Sequence, residues 1–134
     1  MGHPGLAVDG VLLLEGKLVT VIRGQSPFVG MHALPGGHVE LDEGTEAAMV
    51  REFIEETGLQ VEIERLVGVY SDPRRDPRGH TVSVAYSLRK VGGKLLAGSD
   101  AASVDLVDPK RLPKMAFDHA TIVADFLAGG QRFR

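Results

Sequence analysis

Residues 37–59, GHVELDEGTEAAMVREFIEETGL, are the stretch on which the fold of this chain turns. From Thr45 onward the pattern predicts a helix. Thr45 is a candidate N-cap, Glu46 puts an acid in the first turn, and Gly58 stands just past the last turn. Ala47, Val50, Phe53 and Ile54, at i, i+3, i+6 and i+7, form the expected apolar stripe. At about 100° per residue, Glu52, Glu55 and Glu56 share an arc of about 100°, expected on the opposite side. Glu52 therefore faces like charge at both Glu55 and Glu56, each pair costing roughly 0.2–0.5 kcal/mol. Within the helix only Arg51, the i, i+4 partner of Glu55, can relieve it. Such a ridge is either a solvated acidic face or a set of hard oxygen ligands converging on divalent cations.

Before this segment, Leu6 to Leu14 and Lys17 to Arg23 alternate as strands joined by a hairpin turn at Glu15-Gly16. Both faces of the second carry apolar residues, so a sheet covered on both sides is expected. Gly24 to Gly37 reads as loop, and HVEL as a short strand. After the helix, Gln60 to Ser71 and His80 to Leu88 are predicted strands around the charged loop DPRRDPRG. A short strand lies near Val104, and a closing helix starts at Asp118 with Ile122, Val123, Phe126 and Leu127 inward. GGQRFR reads as a tail. Strands and helices in this order predict a mixed sheet between helices, an α+β fold of the α/β/α sandwich type, as a single domain over residues 1–134.

The composition narrows the function classes. The chain has 134 residues, 43% hydrophobic, with a net charge of −3, so no general attraction to nucleic acid or to an anionic membrane is expected. It has no cysteine, which excludes disulfides, thiolate metal sites and a cysteine nucleophile. No signal peptide and no membrane-spanning run are read in the sequence, and a cytoplasmic setting is expected.

The helix with its flank resembles the Nudix box, G-x5-E-x7-R-E-U-x-E-E-x-G-U. Gly37, Glu43, Arg51, Glu52, Glu55, Glu56, Gly58 and Leu59 match at the required spacing; Phe53 stands where an aliphatic residue is usual. The resemblance extends through YSDPRRDPRGHTVSVAY (Tyr70 to Tyr86) and AFDHATI (Ala116 to Ile122) to small archaeal and bacterial ADP-ribose pyrophosphatases. It implies hydrolysis of a nucleoside diphosphate derivative, most of all ADP-ribose, that depends on two or more Mg2+ or Mn2+ ions, and it raises the expectation of a homodimer. Two alternatives stand beside it: a house-cleaning nucleoside triphosphate pyrophosphatase, and a non-catalytic ADP-ribose sensor. The resemblance makes Glu52 and Glu56 the principal metal ligands, with Glu55 and the Gly36 carbonyl beside them. It gives Arg51 the part of orienting the carboxylates and Glu43 that of holding the loop or binding metal through water. The base that accepts a proton from water is implied on a loop after the box, where Asp100 is the one acid; Glu55 or Glu52 could serve instead.

Outside the box, Arg74, Arg75 and Arg78 offer guanidinium forks suited to phosphate, or ion pairs with Asp72 and Asp76. Arg78 is the preferred substrate contact, with Arg23 a second phosphate candidate. Phe28 and Tyr70 could stack on an adenine or simply pack. His38 could touch phosphate, while His80 and His119 are expected to make helix-end or loop hydrogen bonds.

Overall fold

The structure is a computed structural model that describes residues 2–96 and 104–134. The first segment forms β1 (Gly5–Val11), β2 (Leu13–Leu14) and β3 (Lys17–Ile22). Glu15 and Gly16 join β2 to β3 with φ of 48° and 83°, the turn geometry that matches the twist of paired strands. β4 (His32–Ala33) lies inside the stretch expected to be loop, and β5 (Gly36–His38) takes the end of that stretch and only the first residue of the strand expected at HVEL. Then follow α1 (Thr45–Thr57), β6 (Leu59–Tyr70), β7 (Thr81–Gly93), β8 (Val104–Val107), α2 (His119–Ala128) and β9 (Arg132–Phe133). β9 replaces the expected tail: it pairs with β6, Gly68 opposite Arg132.

The larger sheet runs β5-β1-β7-β6-β9, and the smaller gathers β2, β4 and β8 on β3. β1 is parallel to β7 and antiparallel to β5, so the larger sheet is mixed. The central strands carry apolar side chains on both faces, and a core forms on each side. Val8, Leu12, Met49, Phe53, Tyr86 and Leu88 pack beneath α1. Val11, Leu34, Val67, Tyr70, Ile122 and Val123 pack beneath α2. The expected sheet between helices is the observed architecture.

The local details of the helices differ from the sequence expectation. Gly44, not Thr45, occupies the N-cap of α1. The Thr45 hydroxyl meets the Tyr86 hydroxyl at 2.7 Å instead. Gly58 ends the helix as expected, at φ 83° with its N–H on the Ile54 carbonyl. Ala47 and Ile54 are exposed, and the buried residues are Ala48, Met49, Phe53 and Thr57. Counted from Ala48 at about 100° per residue, these four span about 180°, and Glu52 and Glu56 fall at about 40° and 80° within that arc. The two acids thus lie on the core-facing side of α1, not opposite it. In α2, Asp118 holds the N-cap position without a side-chain capping bond, and Leu127 is exposed rather than inward.

Candidate active site

Two acids can lie on the inner face of α1 because the strand beneath them has no side chains there. A Cβ on Gly37 would collide with the Glu52 carboxylate, and one on Gly36 with the Val8 carbonyl oxygen. The Gly36 N–H donates to Glu56 Oε1 at 2.8 Å. Glu55 points outward, with 57% of its side chain exposed.

Arg51 organises this group. Its Nε and Nη2 donate to both oxygens of Glu43 at 2.6 and 2.9 Å. Its Nη1 reaches Glu52 at 3.0 Å and Glu55 at 3.1 Å. The fork holds the Glu43 carboxyl down at about 2, with help from the Glu40 N–H, and the same bonds push Arg51 up. Glu56 is the opposite case. Burial, ahead of the Glu52, Asp9 and Glu55 charges, pushes it up to about 7 against the Gly36 hydrogen bond. Among the described residues Glu56 has no cationic partner within salt-bridge distance.

These features fit a divalent cation. A half-buried carboxyl that burial and then like charges drive toward neutrality regains its charge when a cation arrives, and glycines leave space beside it. Glu52, Glu56, the Gly36 carbonyl and Glu55 at the rim are the residues available to hold it. No three-ligand His, Asp or Glu cage is already closed among the described residues.

A cavity of about 190 Å³ opens beside Glu56, walled by Asp9, Arg23, Gly36, Arg78, Phe117 and His119. A second, of about 470 Å³, adjoins it at Val21, Arg23 and Glu56 and runs along Gly24, Gln25 and Glu55. Of the expected substrate contacts, Arg23, Arg78 and Phe28 come together around one ring. The Arg23 and Arg78 guanidinium carbons stand 5.0 and 5.6 Å from the Phe117 centroid, and Phe28 meets it edge-on at 4.8 Å. Burial and the neighbouring Arg78 charge hold Arg23 below the usual arginine range. Arg78 is paired with Asp76 at 2.9 Å. Tyr70 is not available to a ligand: it is 1% exposed in the α2-side core, with its hydroxyl on Asp125 at 2.8 Å. Arg74 points into solvent. His38 lines the smaller cavity, while His80 bonds the Ser71 carbonyl. Asp100 lies outside the described residues.

Two cavity residues, Asp9 and Phe117, were not singled out from the sequence, while His119 makes the kind of hydrogen bond expected of it. Asp9 is 7% exposed in the middle of β1 and accepts from the Ser83 hydroxyl. His119 Nδ1 accepts the Leu34 N–H at 2.9 Å, which leaves the ring proton on Nε2, 3.5 Å from Asp9 Oδ1. Burial pushes His119 down and keeps it neutral. Arg75, weighed only as one of three loop arginines, is buried and paired with Asp118. An acid inside an apolar strand was the signal for Asp9; the AFDH run was the signal for Phe117.

The description NUDIX domain matches residues 3–126. An ADP-ribose pyrophosphatase of Methanocaldococcus jannaschii is 48% identical over 125 residues, covering 93% of this chain and 74% of that protein. A putative 8-oxo-dGTP diphosphatase of Bacillus subtilis is 31% identical, covering 90% of this chain and 78% of that one. Among solved structures, a MutT/nudix family protein from Enterococcus faecalis is 32% identical with a TM-score of 0.76. It covers 93% of this chain, which spans 61% of that longer chain.

Proposed function

The chain belongs to the Nudix family, and from that premise we propose that it hydrolyses the pyrophosphate bond of ADP-ribose, giving AMP and ribose 5-phosphate. The observation that carries the substrate is the position of Glu56. Val21, Arg23 and Glu56 line both cavities, so the carboxylate borders two adjoining spaces. A diphosphate that joins two bulky groups fills such a site, one group in each space. A nucleoside triphosphate has only one bulky group; the 31% identity to the Bacillus protein keeps that substrate as the second reading.

The cations, Mg2+ or Mn2+ and two or more in number, would supply positive charge against the pyrophosphate oxygens and lower the pKa of water at the site. Glu52 and Glu56 would hold them, and the Arg51 fork fixes where Glu52 points. Arg23 and Arg78 add fixed positive charge at the cavity wall where phosphate oxygens gather. Glu55 keeps one oxygen on Arg51 and lines the larger cavity, where its other oxygen can accept a proton from the attacking water. Asp100 is the alternative acceptor. A cytoplasmic homodimer is expected on the same family grounds, and sedimentation of the purified protein tests the dimer.

Two measurements test this. The ratio of kcat/KM for ADP-ribose to that for a nucleoside triphosphate panel should favour ADP-ribose; faster turnover of triphosphates would hand the assignment to the second reading. Cation affinity should also depend on pH. A cation must displace the proton that Glu56 holds below about 7, so apparent affinity should fall by up to about tenfold per unit below that pH. Mn2+ titrations at pH 6 and pH 8 would read it, and equal affinities would contradict it.

A further inference from the structure

Phe117 adopts φ 52°, in the left-handed region that bulky residues avoid. Its neighbours are each tied to a different part of the fold. The Ala116 N–H donates to the His32 carbonyl at 2.8 Å, and His119 Nδ1 accepts the Leu34 N–H at 2.9 Å. Asp118 accepts Arg75 Nε at 2.9 Å and Nη2 at 2.6 Å. Strained backbone persists where surrounding contacts over-determine it, and such places cluster at ligand sites.

The Arg75 pair is the costly tie. The arginine side chain is 5% exposed, and desolvating both charges offsets much of their attraction. Asp118 also makes no capping bond to α2 while it holds Arg75. Nη1 of Arg75 donates to the Thr81 carbonyl at 3.4 Å, so each nitrogen of its fork has a protein partner. Three of its five N–H groups are thus tied to Asp118 and Thr81 where Arg75 borders the cavity.

We propose that Arg75 is a positioning residue for the substrate site: through Asp118 it holds Phe117 in its left-handed backbone, so that the ring carries Phe28, Arg23 and Arg78 at the cavity wall. Releasing it lets Phe117 relax and moves the two guanidiniums that ride on its ring. The proposal rests on the hydrolase reading only for its assay. Wild-type turnover of ADP-ribose is therefore measured first; if there is none, that reading fails, and the comparison below is made with the dissociation constant for ADP-ribose in place of KM.

Arg75→Met and Asp118→Asn should each raise KM by about 10- to 100-fold, with kcat within about threefold of wild type. In a Phe117→Leu background, the same substitutions should raise KM no further, because they act through that ring. Effects that multiply with Phe117→Leu, or a fall in kcat at unchanged KM, would overturn the proposal. Should Arg75→Met fail to fold, Asp118→Asn, which keeps the side-chain shape, decides: a wild-type KM in that variant also overturns it.

Discussion

Glu56→Gln should cut turnover by at least about 10²- to 10³-fold and leave the metal-free fold no less stable than the parent above pH 7. Both parts follow from one geometry. The carboxyl is half-buried on the inner face of α1, and burial ahead of its acidic neighbours pushes it up to about 7 from 4.5. The folded state thus favours the protonated form. The stability linked to this group is full below about 4.5 and is lost as pH rises through about 7. A glutamine keeps an oxygen to accept the Gly36 N–H and carries no charge to desolvate, so the metal-free variant escapes that loss. The parent recovers it when a cation binds, and the variant does not. Thermal unfolding at pH 8, with and without Mg2+, reads the stability, and steady-state turnover reads the activity. Glu52→Gln should show a similar loss of activity. Near-normal turnover in both variants would remove the metal-carboxylate site from the reaction.

Gly37→Ala should abolish most activity, by about 10²-fold or more, in a protein that still folds. The added Cβ would collide with the Glu52 carboxylate. That group is the far end of a flexible side chain, so it can swing aside, breaking its bond to Arg51 at 3.0 Å and leaving the site. Gly36→Ala provides the contrast. There the Cβ would meet the Val8 carbonyl oxygen, which is backbone of the paired strand. Backbone cannot step aside cheaply, and the cost should appear as about 1–3 kcal/mol of lost stability. Urea unfolding of the two variants separates the cases. A Gly37→Ala enzyme with normal turnover would mean that Glu52 acts from some other orientation.

Much of the fold was legible from local pattern. Alternation marked β1, β3, β6 and the first half of β7, and Gly58 marked the end of α1. The short strands β4 and β9 were missed, and β5 was placed two residues late at HVEL, because two or three residues make no period; partners distant in sequence define them. Thr45 was misassigned as a cap because a serine-like hydroxyl at a helix start is the local rule, and Tyr86 offered that hydroxyl another partner. Tyr70 and Arg75 illustrate the same limit. An aromatic and an arginine beside a presumed site look like ligand contacts until the packing of α2 claims both, through Asp125 and Asp118.

The chain by itself determined which residues share one helix: Arg51, Glu52, Glu55 and Glu56, with Gly37 and Glu43 at set distances before them. That spacing is a property of one helix and its approach. Tertiary structure alone decided which way the helix turns. Its visible apolar stripe suggested that the acids lie opposite the core, yet Glu52 and Glu56 face the sheet, because Gly36 and Gly37 leave room there for charge. Whether a carboxylate is buried depends on what packs against it, and here the opposing residues come from a strand that the helical period does not describe.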